Sequence, residues 1–214
     1  MKKKLLTVLA VVAIMAACKK AEDKAIDTTP STADTTAVIE TAAPAMDSAA
    51  VAQAWEKYMT PGEAHKFLAM DSGNWDVEMT FWQAPGQPAT KANVTASGKM
   101  ILGGRYQQTT FSGSMMGMPF EGISTVGHDN ATGKMVSTWM DNMGTGIMYM
   151  NGVYDQGSNQ VEFKGEVTDP VTGKNKPSRE IYTIVDNNTR KMEMFDIGAD
   201  GKEFKNMEIL MKRK

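Results

Sequence analysis

The chain has 214 residues, which is enough for one globular domain of ordinary size plus extensions. Hydrophobic residues make up 42% and charged residues 22%, and the formal charge of −2 lacks the basic excess typical of nucleic-acid-binding proteins, so no nucleic-acid partner is predicted. The single cysteine, Cys18, excludes an intrachain disulfide.

The first eighteen residues have the layout of a bacterial secretion signal. Lys2 to Lys4 are followed by an apolar run, Leu5 to Met15, that is too short to span a bilayer, and small residues then precede Cys18. This pattern resembles the lipoprotein signal, in which the cysteine is acylated and becomes the new N-terminus. We predict a signal peptide over 1–17 and an acyl anchor such as palmitate on Cys18. An ordinary signal peptide with an incidental cysteine is the alternative.

Residues 18–46 are predicted to form the lipidated cysteine and a flexible linker, since they are mostly Ala, Thr, Asp and Glu and show no apolar periodicity. Cleavage of the signal would leave 20 basic and 25 acidic residues, a net charge of −5. The anchor, not a basic patch, would therefore hold the protein to the membrane. We expect a location at the cell envelope, periplasmic or surface-facing. The sequence predicts neither the leaflet nor the oligomeric state.

Two short helices are predicted over residues 47–70. The first begins at Asp47, whose side chain can accept a hydrogen bond from the helix N-terminus. The second is indicated by Thr60-Pro61-Gly62-Glu63, which has the spacing of a capping box with the threonine as N-cap. We expect the apolar side chains of this helix to cover one end of the following domain, and its histidine, His65, to lie in solvent.

Residues 71–214 predict an all-β domain, because short apolar or alternating runs recur between turns such as Gly103-Gly104 and Asp200-Gly201. Ten strands are predicted: Asn74–Trp82, Ala92–Leu102, Arg105–Ser112, Phe120–His128, Met135–Asp141, Gly146–Tyr154, Gln160–Val167, Ser178–Val185, Lys191–Asp196 and Phe204–Met211. Asp169 to Pro177 is expected to be a long turn.

Strands joined by short connections pair most readily with their sequence neighbours, and closing the sheet removes its exposed edges. We therefore predict an antiparallel up-and-down β-barrel of about ten strands, similar to lipocalins and other calycins. A two-sheet sandwich is the alternative. About ten strands enclose more space than side chains alone must fill, so a ligand inside the barrel is conceivable.

Several segments together carry a family resemblance. They are Gly73-Asn74-Trp75-Asp76-Val77, Ile101-Leu102-Gly103-Gly104-Arg105, Met116 to Gly122, Asp129 to Lys134, Ser137-Thr138-Trp139 and Asp200 to Phe204. Over residues 60–214 the chain resembles the bacterial domain-of-unknown-function family number fifteen seventy-nine, which has no established activity. The Gly-x-Trp of the first strand also resembles lipocalin-like barrels, and this implies that Trp75 closes one end of the barrel.

Six residues are candidate ligand contacts: Trp75, Arg105, Glu121, Trp139, Asp141 and Tyr149. Trp75 is expected mainly to pack at the barrel floor. Arg105 follows a Gly-Gly hairpin, where it is either a rim charge or a two-pronged partner for a ligand carboxylate. Glu121 is either a rim carboxylate or an inward polar group.

Alternation places Ser137, Trp139 and Asp141 on one face of a strand, and we slightly favour the inward orientation of that face. A buried Asp141 would need a polar partner, which Arg105 or Tyr149 could supply. With the opposite orientation Trp139 would be a surface aromatic residue.

Enzymatic chemistry has little support in the sequence, and no cofactor or metal is predicted. His128 stands beside Asp129, but no Gly-x-Ser-x-Gly motif accompanies them. Metal motifs based on His, Cys or an EF-hand loop do not occur. Haem would need His128 or a methionine as axial ligand, and clustered methionines could bind copper(I), although methionine is more often an adaptable apolar filler.

The sequence thus leads to three hypotheses, in order of preference. The first is a lipid-anchored envelope protein that binds a small, partly apolar molecule inside the barrel, and it predicts a continuous cavity with few polar groups. The second is a structural or interaction lipoprotein with a packed interior and an exposed apolar patch. The third is a hydrolase-type enzyme, which would require an acid or base with a perturbed pKa beside Trp139, Asp141 or His128.

Overall fold

Two helices precede ten β-strands in the computed structural model, which describes residues 47–198 and 200–214. The described residues belong to one compact unit that spans Ala45–Lys214. The predicted signal peptide, Cys18 and the whole of the predicted linker lie outside the described residues.

The helices are α1 (Ser48–Met59) and α2 (Glu63–Ala69). The strands are β1 (Gly73–Phe81), β2 (Thr90–Ile101), β3 (Tyr106–Met115), β4 (Met118–Asp129), β5 (Lys134–Asp141), β6 (Met148–Asp155), β7 (Gln160–Thr168), β8 (Asn175–Asp186), β9 (Thr189–Ile197) and β10 (Glu203–Arg213).

Each strand pairs antiparallel with its neighbours in sequence, and β1 also pairs with β10, so the sheet closes into a barrel. The predicted ten-stranded up-and-down barrel is confirmed, and the sandwich alternative is wrong. Because the sheet is closed, every strand is paired on both sides over at least part of its length. This removal of exposed sheet edges is the physical advantage expected of a barrel.

The predicted turn over Asp169–Pro177 is too long, because β8 already begins at Asn175. Pro177 pairs with Glu166 of β7, but β8 joins β9 only from Arg179 onward. A proline lacks the N–H of a ladder hydrogen bond, so it is tolerated where one flank of the strand is unpaired.

The start of α1 is as predicted, whereas the start of α2 is not. Asp47 Oδ1 accepts a hydrogen bond from the Ala49 N–H at 3.1 Å. The N-cap of α2 is Gly62, not Thr60, since the hydroxyl of Thr60 donates to the Glu56 carbonyl of α1 at 2.7 Å. The capping group is the ring of His65, whose Nδ1 accepts from the Gly62 N–H at 3.0 Å.

The expectation that His65 lies in solvent is wrong, because its side chain is only 6% exposed. Its ring packs edge-on against that of His128, with 5.8 Å between the ring centroids. The capping bond turns the imidazole back toward the barrel, so the helix and β4 cover it together.

The two ends of the barrel differ. Helix α2 and the turns that follow β2, β4, β6 and β8 lie at one end, here called the helix end. The connections that follow β1, β3, β5, β7 and β9 lie at the other end, here called the mouth. Leu68 of α2 is buried, and Phe67 packs on Tyr154 with 4.1 Å between ring centroids, so α2 covers the helix end as predicted.

Two clusters of buried apolar side chains line the inner wall of the barrel. One is built by β1 to β4 and β10, and it includes Trp75 and Phe111. The other is built by α2 and β5 to β7, and it includes Leu68 and Met135. Neither described helix is both long and apolar enough to cross a membrane.

Candidate ligand-binding site

A cavity of about 340 Å³ lies inside the barrel, between α2 and the mouth. At the helix end it is bounded by Phe67, Leu68 and Asp71. Toward the mouth it reaches Met116 and Met143, both of which are also exposed to solvent. The cavity therefore has one end closed by a helix and one end lined by side chains at the surface.

The wall of the cavity is overwhelmingly apolar. Ten methionines contribute to it: Met79, Met115, Met116, Met135, Met143, Met148, Met192, Met194, Met207 and Met211. Phenylalanines from α2, β1, β3, β4 and β7 fill much of the rest. Methionine side chains are flexible and polarisable, so a wall rich in them can adapt to the shape of an apolar guest.

Trp139 and Asp141 both line the cavity, so the Trp139 face of β5 points inward. The indole Nε1 donates to Asp141 Oδ2 at 2.7 Å, and Asp141 Oδ1 accepts from the Met143 N–H at 3.0 Å. Asp141 thus finds its partners within its own strand and the next loop, and neither Arg105 nor Tyr149 supplies them.

A glycine makes room for the Trp139 ring. A Cβ added to Gly122 of β4 would lie 2.6 Å from Cη2 of Trp139, which is closer than real atoms approach. The ring also packs against Phe111 and Phe120, at centroid distances of 5.2 and 6.4 Å. This aromatic group fixes Trp139 as a rigid part of the cavity wall.

Glu180 of β8 is the most unusual group in the cavity wall. It is only 4% exposed and lies between Phe163 of β7 and Met194 of β9 in the sheet. No described residue forms a hydrogen bond or an ion pair with its carboxyl group. Removal from water raises its pKa to about 7, because burial penalises the charged form.

Sequence reasoning missed Glu180. Alternation along β8 places it on the same face as Ser178 and Tyr182, which was a usable signal. However, the other face carries Arg179 and Ile181, so both faces of β8 mix polar and apolar residues. The sequence therefore did not indicate which face of β8 points into the barrel.

A buried polar network joins the helix end of the cavity to the sheet. Asp71 Oδ1 accepts from Nε of Arg190 at 2.7 Å, and Asp71 Oδ2 accepts from the Tyr182 hydroxyl at 2.7 Å. Arg190 is almost completely buried and also donates to the carbonyl oxygens of Asp186 and Met70. Burial and the adjacent Asp71 carboxylate hold the pKa of Tyr182 well above its usual range.

Trp75 lies in this network and not on the cavity surface. Its Nε1 donates to the Asp71 carbonyl at 3.1 Å, and its ring contacts the guanidinium groups of both Arg190 and Arg213, which lie 5.0 and 4.2 Å from the ring centroid. Gly73 has a φ of +122° and leaves room for Arg213, since an added Cβ would lie 2.7 Å from its Nη1. Trp75 thus packs at the closed end of the barrel, as expected.

Three other candidate contacts lie outside the cavity. Arg105 Nη2 donates to the Met59 carbonyl at 2.6 Å and so fastens the end of α1 to the β2–β3 turn. Glu121 is exposed, and its backbone N–H donates to the Asn142 side chain. Tyr149 is half exposed, and its hydroxyl donates to Asn151 on the outer face of β6. The structure therefore brings together Trp139 and Asp141 but not these three.

The remaining titratable groups form no recognisable catalytic or metal site in the described ranges. No group of three or more His, Cys, Asp or Glu side chains with metal-binding geometry occurs in residues 47–198 and 200–214. His128 is in hydrogen-bond contact with Asn130 at the helix end, 3.1 Å from its Nδ1, and no described serine bonds to it. His128 does not line the cavity.

The fold and this site define a closed antiparallel β-barrel with an internal, largely apolar cavity. The chain belongs to the family described as "Protein of unknown function (DUF1579)", whose model matches residues 60–213. The resemblance seen in the sequence is thereby confirmed. No curated protein matches the chain.

One solved structure supports the fold. The crystal structure of Rv2717c from M. tuberculosis aligns with a TM-score of 0.54 and 11% identity, covering 72% of this chain and 99% of the other. A redesigned β-barrel aligns with a TM-score of 0.39 and 13% identity, covering 69% and 94% of the two chains. At 11% identity, the likeness to Rv2717c concerns the fold alone.

Proposed function

We propose that this protein is a lipid-anchored protein of the bacterial cell envelope whose barrel binds a small, partly apolar molecule. The observation that carries the binding proposal is the cavity of about 340 Å³, which is within the usual size of small-molecule sites. Its apolar wall can cover hydrocarbon, and a few polar groups, among them Ser137, Asp141 and Glu180, can orient a guest.

The anchor part of the proposal rests on the sequence that surrounds Cys18. A positive segment, an apolar segment and small residues precede the only cysteine of the chain. The acidic balance that remains after cleavage makes an acyl group the plausible means of membrane attachment. The linker would then separate the barrel from the lipid surface.

One observation favours the alternative of an interaction lipoprotein. The outer faces of β4 to β6 expose Ile123, Met140, Tyr149 and Val153. Ile123 and Met140 are direct partners in the β4–β5 ladder. A partner on this face would use the outside of strands whose inside faces the cavity, so the two functions do not exclude each other.

Binding is tested with the mature chain, residues 18–214, carrying Cys18→Ser, which has neither the apolar signal nor an acylation site and so avoids detergent. The neutral probe N-phenyl-1-naphthylamine brightens when it leaves water, and we expect saturable binding. Ser137→Phe places a ring inside the cavity and should weaken binding by about tenfold or more, since the guest must then displace a packed side chain. Thr138→Phe adds the same ring to the outer face of β5 and serves as the control.

Two results would contradict the binding proposal. One is the absence of saturable binding by the wild-type barrel. The other is binding that Ser137→Phe leaves unchanged, because the probe would then sit outside the cavity. Native mass spectrometry of the same chain purified from its own host would reveal a co-purifying small molecule.

A further inference from the structure

The charges that face the cavity are all of one sign. Three carboxylic residues line it, namely Asp71, Asp141 and Glu180, and the lining contains no lysine, arginine or histidine among the described residues. An anionic guest would therefore enter a low-dielectric space with no cation to receive it. A cationic guest would meet three acidic residues and no like charge among the described lining residues.

The three carboxyl groups are not equivalent. Asp71 is paired with the buried guanidinium of Arg190 and with the Tyr182 hydroxyl. Asp141 accepts hydrogen bonds from the Trp139 indole and the Met143 backbone. Glu180 alone has no partner among the described residues, although it is buried and lines the cavity.

Lysine and arginine residues close to the cavity are already engaged. Lys176, on the same face of β8 as Glu180, pairs with Asp196 at 2.5 Å. Arg179 points to the other face, where its Nε and Nη2 donate to the two carboxylate oxygens of Glu203. Since no lysine, arginine or histidine among the described residues neutralises Glu180, we expect the complementary charge to come from the guest.

We propose that Glu180 is the anchor of the site and that the guest is an apolar amine, a small molecule with a hydrocarbon body and one protonated nitrogen. This inference rests on the proposed binding function and specifies its ligand class. The ammonium group donates to the Glu180 carboxylate, while the methionine and aromatic wall surrounds the hydrocarbon. Fatty acids and other anionic amphiphiles are correspondingly disfavoured.

The energetic reason is the high cost of an isolated charge in an apolar space. Without a guest, Glu180 lowers this cost by taking up a proton near neutral pH. With an ammonium guest, the carboxylic acid of Glu180 releases that proton to water, and the resulting carboxylate gains a charge-assisted hydrogen bond. Below about pH 7, binding of the amine should therefore release up to one proton, and its affinity should fall as the solution becomes more acidic.

The titratable groups that share the cavity do not reverse this expectation. Glu180 is flanked in the sheet by Phe163 and Met194, which carry no charge. Tyr182, two residues along β8, remains neutral because burial and Asp71 raise its pKa. Asp71 is balanced by Arg190, and Asp141 adds a further negative group that also favours a cation.

The test uses three guests with the same hydrocarbon chain: octylammonium, octanol and octanoate. Each is titrated against the Cys18→Ser chain loaded with N-phenyl-1-naphthylamine. At about pH 8 we expect octylammonium to displace the probe at about tenfold or more lower concentration than octanoate, because hydrogen bonds to charged groups are the stronger ones. At about pH 5.5 this preference should shrink markedly, since Glu180 then holds its proton.

Two variants connect the preference to one carboxyl group. Glu180→Gln and Glu180→Met should both abolish the preference for octylammonium and keep the binding of octanol. If the glutamine variant folds poorly, the apolar methionine variant still provides the comparison. Glu166→Gln makes the same chemical change on the exposed outer face of β7 and should leave the preference intact.

The outcomes separate this inference from the proposed function. If all three guests displace the probe equally, or if the preference survives in both Glu180 variants, the amine assignment is overturned while binding stands. If octanoate binds more tightly than octylammonium, the assignment is likewise overturned. If neither the probe nor any guest binds, both the proposed function and this inference are wrong.

Discussion

At the scale of single residues, the environment of Glu180 makes its chemistry unlike that of a surface glutamate. Its pKa is about 7 in the folded protein and 4.5 in an unperturbed glutamate. The folded state therefore holds a proton that the unfolded chain releases between these values. The associated stability is fully present below about pH 4.5 and is lost as the pH rises to about 7.

We predict that replacement of Glu180 by glutamine removes this pH dependence. Relative to the wild type, Glu180→Gln should gain roughly 3 kcal/mol of unfolding free energy between about pH 4.5 and pH 7.5, an upper value for a fully buried group. Urea unfolding of both proteins over this range measures the difference. If the unfolding free energies of the two proteins changed with pH in parallel over the whole range, the Glu180 carboxyl group would be hydrated in the folded state.

Asp71 is the residue on which the helix-end network depends. We predict that Asp71→Asn destabilises the protein by about 3 kcal/mol or more, because it leaves the guanidinium of Arg190 buried without a counter-charge. Asp76→Asn is the matched control, since Asp76 is largely exposed and, within the part of the chain that the structure describes, pairs only with Lys214. Thermal or urea unfolding should place the control within about 0.5 kcal/mol of the wild type.

At the scale of elements, α2 is held by contacts that respond to pH. Burial, reinforced by the positive charges of His128 and Arg105, lowers the pKa of His65 below 6.5. The neutral ring accepts the capping hydrogen bond from the Gly62 N–H, which an imidazolium could not do at that nitrogen. The stability from this cap is present above about pH 6.5 and is lost as the pH falls through the pKa of the folded state.

We predict that hydrogen exchange of the α2 amides, corrected for its intrinsic pH dependence, becomes faster as the pH falls below about 6.5. In His65→Gln the amide side chain can accept at the same capping position without titrating. That variant should show no such acceleration. Equal acceleration in the two proteins would mean that α2 loosens for another reason.

The elements also show which local signals were decisive. Every predicted strand is present, because alternation and turn residues act over a few neighbouring positions. The capping box at Thr60 is wrong: the threonine hydroxyl donates to the Glu56 carbonyl of α1, and the N-cap of α2 is Gly62. A local motif was therefore outweighed by a contact with the preceding helix, which the spacing alone could not reveal.

At the scale of the whole molecule, the proposed function combines a ligand cavity inside the barrel with a membrane anchor at Cys18. We predict that the wild-type protein fractionates with membranes and that Cys18→Ser releases it. Intact mass spectrometry should find acyl groups on Cys18 of the wild type only. Two results would contradict the anchor and leave the barrel's binding unaffected. One is a wild-type chain that is cleaved before a free cysteine. The other is a membrane-bound fraction that is the same for the wild type and for Cys18→Ser.

Closure of the barrel could be anticipated from the sequence, whereas the composition of its interior could not. Ten short strands with short connections favour antiparallel neighbours and a closed sheet, and the register of β1 with β10 completes it. The direction in which each polar face points depends on all ten strands at once. For this reason Trp139 and Asp141 were anticipated as inward residues, while Arg105 and Tyr149 were assigned to a site that they do not reach.

The amino-acid sequence by itself determined the number of strands, their order, the family and the candidate lipid anchor, because these depend on local patterns along the chain. Only the tertiary structure decided that Glu180 stands in the cavity without a partner among the described residues and that Trp75 contacts two arginines. Those relations join residues more than a hundred positions apart, such as Asp71 and Arg190. They arise from which side chains the closed sheet turns inward, and no short stretch of sequence encodes that choice.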